Sequence, residues 1–190
     1  MISRLENIWT TYFDFHYGIA CSIGIILFIF CTAVLYLTRK KQKNTIDKKD
    51  AAVLLLFSVY MTFLFGVTLF NRHPEESYRL ELQPLWSYIE MISNSDPFLG
   101  WQIFYNIVAF IPLGIFLPLL SSRMRSLRNV LICGILLSAA IECSQLIFKC
   151  GLCELDDVLD NAMGAVIGYA VWRSWRILSM NIKRYKTGGN

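Results

Sequence analysis

Charged residues are scarce in this sequence. Its 190 residues include 18 Lys and Arg and 14 Asp and Glu, so that 17% of the chain is charged while 55% is hydrophobic. A soluble globular domain carries about a quarter charged residues and no long uncharged apolar run. The composition therefore argues against a water-soluble enzyme. Intrinsic disorder is excluded for the opposite reason, because 13 Phe, 9 Tyr and 5 Trp supply more apolar surface than a solvated coil tolerates.

The signatures of common catalytic and cofactor sites are also missing. The chain contains no Walker loop, GxGxxG, HExxH or GxSxG pattern. His16 and His73 have no second histidine at ligand spacing, and Cys150 and Cys153 form one CxxC without a further ligand pair. The sequence therefore predicts no cofactor and no metal site, although a local disulfide between these two cysteines stays open.

Long apolar runs are what the sequence has instead. A bilayer core of about 30 Å requires about 20 apolar residues in a helix with a rise of about 1.5 Å per residue. Five windows of this kind occur, and we number them as spans in chain order: 17–37, 51–70, 101–120, 130–148 and 158–178. We therefore expect an all-α integral membrane protein, a single domain over residues 1–190 built as a small bundle of about five transmembrane helices.

The distribution of positive charge predicts the orientation of these spans. Fourteen of the 18 Lys and Arg residues lie after the first span, after the third span or in the segment from Arg173 onward at the end of the fifth, and the other four are Arg4, Arg72, Arg79 and Lys149. Cytoplasmic loops carry the excess of basic residues, so the N-terminus is expected outside and the C-terminus inside. Because these loops suit anionic lipid better than nucleic acid, we expect membrane lipids as partners, no nucleic acid, and a multi-pass location in a bacterial plasma membrane.

The outer segment 71–100 is too long to be a simple turn. Within it, five apolar residues recur at helical spacing on one face: Leu82, Leu85, Trp86, Ile89 and Ile92. Pro84 suits the first turn of such a helix. The pattern predicts a short amphipathic helix over 84–93, lying at the outer interface with Glu90 toward water.

Polar residues inside the spans are costly and therefore candidates for function. Glu142 lies six residues before the outer end of the fourth span, about 9 Å below it. Asn106 lies at a similar depth in the third span, and Arg72 follows the outer end of the second. Ser138, Glu142 and Gln145 form one stripe on the fourth span, and Asp157, Asn161, Gly164 and Gly168 form another on the fifth. We expect these stripes to face each other. The ligand-binding candidates are therefore Arg72, Asn106, Glu142, Gln145, Asp157 and Asn161.

Small residues and prolines mark the expected contacts between helices. Gly164 and Gly168 form a GxxxG pair that permits close helix approach. The third span contains Pro112, Gly114 and Pro118, and its prolines remove amide donors and favour a kink. Whether that kink serves packing alone or opens an outer cavity stays undecided at this stage.

Three motifs resemble the VanZ-like membrane protein family, named for a teicoplanin-resistance protein. The region from Asn106 to Gly114 is similar to the family's Asn-x-x-x-Phe-x-Pro-x-Gly pattern. Glu142 to Gln145 resembles its Glu-x-x-Gln pattern, and Asp156 to Gly164 resembles its Asp-Asp-x-x-x-Asn-x-x-Gly pattern. With weaker similarity near residues 68–86, the VanZ-like region extends over about 51–178.

The resemblance implies a role in glycopeptide resistance of the teicoplanin type or in the cell envelope, and leaves two mechanisms open. The preferred one is a non-enzymatic membrane protein whose polar outer-leaflet pocket binds a lipid, a lipid-linked cell-wall precursor or a lipoglycopeptide. The alternative is an intramembrane enzyme that acts on a lipid-linked substrate with Glu142 or Asp157 as general base. A pair of carboxylates suits such chemistry, but neither a nucleophile nor a metal set accompanies it.

Overall fold

A computed structural model describes residues 48–70 and 77–187, together with the single positions Ile26 and Ala33. The first predicted span, apart from those two positions, and the candidate Arg72 lie outside the described residues. The chain divides into two compact units, Met1–Glu75 and Glu76–Asn190. Within the described residues the architecture is helical, and three helices are long and apolar enough to cross a membrane: Lys48–Leu69, Pro97–Leu120 and Leu127–Phe148.

The first unit contains helix α1, Lys48–Phe65, which continues as a π-helical turn over Gly66–Phe70. Its serine and its two threonines donate hydrogen bonds to carbonyl oxygens one turn back in the same helix. Ser58 donates to Leu54 O at 2.9 Å, and Thr68 donates to Leu64 O at 2.8 Å. No polar group of these side chains then requires water, which suits a helix with an apolar surface. The second predicted span is confirmed as an apolar helix.

The second unit begins with strand β1, Arg79–Glu81, and the short helix α2, Trp86–Asn94. The predicted helix over 84–93 is confirmed, although it begins two residues later, because Leu85 has a left-handed conformation with φ of 61°. The four apolar residues Leu82, Leu85, Ile89 and Ile92 are each more than half exposed. Helix α2 therefore presents an apolar surface outward, whereas Ser87 is buried.

Helices α3, Pro97–Leu120, and α4, Leu127–Phe148, follow, with a 3₁₀ turn at Ser122–Arg125 between them. Asp96 caps α3 by accepting a hydrogen bond from the Phe98 amide at 2.9 Å, and Pro97 occupies the first turn, where its missing amide hydrogen costs nothing. Helix α3 continues through Pro112 and Pro118 to Leu120. These two helices contain the third and fourth predicted spans.

Strand β2, Leu152–Glu154, leads directly into helix α5, Leu155–Thr187. The strand pairs in parallel with β1, so that Arg79 lies opposite Leu152 and Glu81 lies opposite Glu154. Helix α5 contains the fifth predicted span. It is not among the helices that qualify as spans by composition, because its first two turns are rich in acidic residues and Arg173 and Arg176 follow further along.

Helix α5 packs against both α3 and α4, and glycines set its distance from α3. A Cβ atom at Gly164 would lie 2.1 Å from Ile107 O, and one at Gly168 would lie 2.0 Å from Ile111 O. From the other side, a Cβ atom at Gly114 would lie 2.0 Å from Ala165 O. All three positions therefore require glycine for the backbones to approach this closely. The same interface buries Phe110, Leu113 and Ala165.

Candidate ligand-binding site

Five buried carboxylates gather at the end of the second unit where α5 begins. They are contributed by α4, β2 and α5 and are each between 1 and 8% exposed: Glu142, Glu154, Asp156, Asp157 and Asp160. We call this group the carboxylate layer. Buried charges are costly unless hydrogen bonds or opposite charges stabilise them, so the contacts of each carboxylate decide what the site can do.

Two faces of α5 divide the carboxylates of its first turns. Asp157 and Asn161 lie one turn apart on one face, and Asp156 and Asp160 lie one turn apart on another. Asp157 Oδ1 accepts hydrogen bonds from Asn106 Nδ2 at 2.6 Å and from Gln102 Nε2 at 3.4 Å, so this face is bonded to α3.

The amide of Gln102 links two carboxylates of the layer. Its Nε2 also donates to Glu154 Oε2 at 3.1 Å. Gln102 precedes Asn106 by one helical turn, so both amides project from the same face of α3. Two carboxylates from the β2–α5 junction are thereby bonded to one face of α3.

Helix α4 is bonded to the same region by its own polar stripe. Glu142 Oε2 accepts a hydrogen bond from the Glu154 backbone amide at 3.0 Å, and Asn161 Nδ2 donates to Ser138 Oγ at 2.8 Å. Gln145 is buried one turn beyond Glu142. The stripes predicted to face each other therefore meet at Asn161 and Ser138, whereas Asp157, Gly164 and Gly168 of the α5 stripe meet α3.

Asp156 and Asp160 bond to helix α2. Asp156 accepts three hydrogen bonds from the start of that helix: from the Leu85 amide at 2.6 Å, the Ser87 amide at 2.9 Å and the Ser87 hydroxyl at 2.7 Å. The hydroxyl of Tyr88 donates to Asp160 Oδ1. A carboxylate at a helix N-terminus satisfies amides that have no partner within the helix and interacts favourably with the helix dipole. Asp156 thus caps α2 from a different part of the chain.

Burial and neighbouring charge raise the pKa of groups at the edge of the layer. The pKa of Glu154 rises to about 7, chiefly because the side chain is desolvated and then because Asp157 is close, while the Gln102 hydrogen bond and the Arg79 charge oppose the shift. Desolvation, the hydrogen bond to Asp160 and nearby carboxylates raise the pKa of Tyr88. Glu154 is therefore partly protonated near neutral pH.

Desolvation, followed by the charge of Glu142, raises the pKa of the Cys153 thiol, so that this thiol stays protonated. Neither Cys150 nor Cys153 is in a disulfide. A protonated thiol is a poor nucleophile and a poor metal ligand. Cys153 is therefore not an activated thiol.

The structure brings five of the six predicted ligand-binding residues into or beside the carboxylate layer, namely Asn106, Glu142, Gln145, Asp157 and Asn161. The sixth, Arg72, lies outside the described residues. Sequence reasoning missed six further residues that complete the site: Ser87, Tyr88, Gln102, Glu154, Asp156 and Asp160. Gln102 was detectable from its i, i+4 relation to Asn106, whereas no local pattern marks Ser87 or Tyr88.

A family model described as VanZ/LLP1 matches residues 51–178 of the chain. This interval includes α1 from residue 51, α2 to α4, both strands, and α5 as far as Leu178, and it therefore covers the whole carboxylate layer. No curated protein matches the chain. No solved structure matches it either.

Proposed function

Because the chain belongs to the VanZ/LLP1 family, we propose that this membrane protein acts in the cell envelope in resistance to glycopeptides of the teicoplanin type, by binding an amphiphile at its carboxylate layer. The observation that carries the proposal is the position of this layer beside an outward-facing apolar surface. Helix α2 covers the layer with Ser87 and Tyr88, while Leu85, Ile89 and Ile92, at its start and along it, are each more than half exposed. An amphiphile needs both kinds of surface.

The proposal places the layer in the outer leaflet of the plasma membrane. It retains five spans with the N-terminus outside, on the basis of the three apolar helices and of the basic residues that follow alternate spans. The start of α3 supports this placement, since the exposed ring of Trp101 stacks on Tyr105 at 5.8 Å between centroids and meets Phe104 edge-on. Aromatic clusters of this kind are typical of the membrane–water interface.

In this arrangement the acyl chains of the ligand lie along α2 and the aromatic start of α3, and its head group approaches the carboxylate layer. The lipid, lipid-linked precursor or lipoglycopeptide would contact the amides of Asn106 and Gln145 together with Asp157. Arg72 remains a candidate on sequence grounds, because it follows the second span on the side assigned to the layer.

The contacts of the two candidate bases favour binding over catalysis. A general base requires an accessible lone pair and a pKa near the working pH. Glu142 Oε2 accepts a backbone hydrogen bond at 3.0 Å, and Asp157 Oδ1 accepts the Asn106 amide at 2.6 Å. Each of these two oxygens is therefore already engaged by a donor of the protein. Both groups are thus arranged as acceptors that organise the site.

Teicoplanin susceptibility tests this proposal. A susceptible host should become more resistant when it expresses the wild-type protein, and Asp157→Ala should lose most of that increase because it removes the acceptor for Asn106 and Gln102. Leu136→Ala, which truncates an exposed apolar residue of α4, is the matched control at equal membrane abundance. No difference between wild type and empty vector would refute the link to resistance, and full activity of Asp157→Ala would refute the role of the layer.

A further inference from the structure

One oxygen of the carboxylate layer, Asp160 Oδ2, is buried without a hydrogen-bond donor among the described residues. Asp160 is 1% exposed, and its Oδ1 accepts the Tyr88 hydroxyl. Its other oxygen, Oδ2, is buried and accepts no hydrogen bond from any residue that the structure describes. Buried acceptors are nearly always satisfied, and an exception in a binding site indicates a place for a donor from outside the chain.

The surroundings of Asp160 determine what kind of donor fits. Asp156 and Asp157 act on Asp160 through their charges, so the potential around Oδ2 is negative. A phosphate entering this position would meet like charges in a region shielded from water, where repulsion is strongest. An ammonium group would meet the opposite charge and supply the missing hydrogen bond as well.

A metal ion is a less suitable occupant than a single donor group. Among residues 48–70 and 77–187, no three Asp, Glu, His or Cys side chains converge in a way that could hold a metal ion. The oxygens of Asp156 and the Oδ1 of Asp157 are already directed to amide and hydroxyl donors of α2 and α3. One unsatisfied oxygen suits one N–H group.

We propose that the ligand presents a primary ammonium head to Asp160, between α5 and the Tyr88 side chain of α2. This inference rests on the proposed binding function and specifies the chemistry of the ligand. The ammonium donates to Asp160 Oδ2, while the Tyr88 hydroxyl holds Oδ1. Any phosphate on the same ligand remains outside the layer.

Three amphiphiles with the same twelve-carbon chain separate charge from hydrogen bonding. The full-length protein is reconstituted in nanodiscs of phosphatidylcholine, a lipid without a primary amine. Its unfolding temperature is then measured as dodecylamine, dodecyltrimethylammonium or dodecyl phosphate is added. Dodecylamine should stabilise the protein. Dodecyltrimethylammonium has the same charge but no N–H donor, so its apparent affinity for the protein should be about tenfold lower. Dodecyl phosphate should not change the unfolding temperature.

The variant Asp160→Asn keeps the side-chain volume but removes the charge, and it should weaken dodecylamine binding about tenfold. Glu90→Gln removes one negative charge from α2 away from Asp160 and should bind as the wild type does. If Asp160→Asn fails to fold, the ranking of the three amphiphiles on the wild type decides alone. Stabilisation by dodecyl phosphate equal to that by dodecylamine would overturn the ammonium assignment. If none of the three amphiphiles changes the unfolding temperature, and teicoplanin added in the same way does not change it either, the result would count against the binding function itself.

Discussion

The Asp156 carboxylate accepts hydrogen bonds from both the amide and the hydroxyl of Ser87, at 2.9 and 2.7 Å, although 69 residues separate the two positions. It thereby supplies the cap that Leu85, in its left-handed conformation, does not provide with its own side chain. These bonds attach a short amphipathic helix to the start of α5, which is the longest helix among the described residues. Asp156 therefore makes three hydrogen bonds between the start of α2 and α5, and Asp160 makes a fourth through Tyr88.

Removal of that cap should loosen α2. Asp156→Ala deletes the acceptor for three hydrogen bonds and should destabilise the second unit by about 2 kcal/mol, whereas Ser87→Ala loses only the hydroxyl contact and should cost about 1 kcal/mol. Thermal unfolding of the purified protein measures both effects, and limited proteolysis between residues 77 and 96 reports on α2 itself. Glu90→Gln is the control. Equal stability and equal cleavage in all four proteins would show that the cap does not hold α2.

Close packing of α3 and α5 should make Gly164 intolerant of any side chain. A Cβ atom there would already overlap Ile107 O, so Gly164→Leu must force the two helices apart. Val171→Leu enlarges an exposed residue of the same helix and should be harmless. Size-exclusion chromatography of detergent extracts compares the folded yields. Similar yields for these two variants would mean that α5 packs through another face.

Stability should depend on pH through Glu154. Its pKa is raised from 4.5 to about 7 on folding, so the folded protein holds a proton that the unfolded chain releases between these values. The contribution of Glu154 is therefore most favourable at low pH and is lost as pH rises from about 4.5 to about 7. Glu154→Gln cannot titrate, so its unfolding temperature should vary less than that of the wild type between pH 5 and 8. Parallel pH curves for the two proteins would contradict the assignment.

The orientation of the second unit can be tested at the two ends of α3. In a background without native cysteines, Ser93→Cys on α2 should react with a membrane-impermeant maleimide in intact cells. Ser122→Cys, in the turn after α3, should react only after permeabilisation, because basic residues accompany it. Both side chains are exposed, so burial does not bias the comparison. Labelling of Ser122→Cys in intact cells would show that the topology is the reverse of the proposed one.

The helices were predictable because a membrane span leaves a direct mark on sequence. Apolar runs of about 20 residues located α1, α3 and α4, and the spacing of Leu85, Ile89 and Ile92 located α2. The pairing of β1 with β2 left no such mark, since three residues are too few for a period and their partners lie about 70 positions away. The end of α5 at Thr187 was also missed, because the helix continues beyond the apolar run into basic residues.

The residues of the candidate site also differ in whether the sequence alone could predict them. Glu142 and Asn106 were predictable because each is a polar residue within a single apolar run, and its position in that run gives its depth in the membrane. The interactions of Asp156 and Asp160 with α2 depend on contacts between residues 69 to 72 positions apart. Only the folded structure therefore shows that these two residues accept hydrogen bonds from α2.

Substitutions of Glu142 distinguish a binding role of the site from a catalytic one. Glu142→Gln keeps the volume and an oxygen that can accept the Glu154 amide, so it should retain much of any resistance, whereas Glu142→Ala should lose it. A general base cannot be replaced by glutamine. Teicoplanin susceptibility at matched membrane levels provides the comparison. A folded but inactive Glu142→Gln, accompanied by an inactive Asp157→Asn, would support the enzyme instead.

Native mass spectrometry of the protein released from nanodiscs made with host membrane lipids tests amphiphile binding most directly. The wild type and Glu90→Gln should both retain a bound amphiphile as a discrete mass increment after the surrounding lipid has been removed. Asp157→Ala should lose that increment, because the residue that organises the amides of α3 is gone. The same increment on all three proteins, or none on the wild type, would contradict a ligand site at the carboxylate layer.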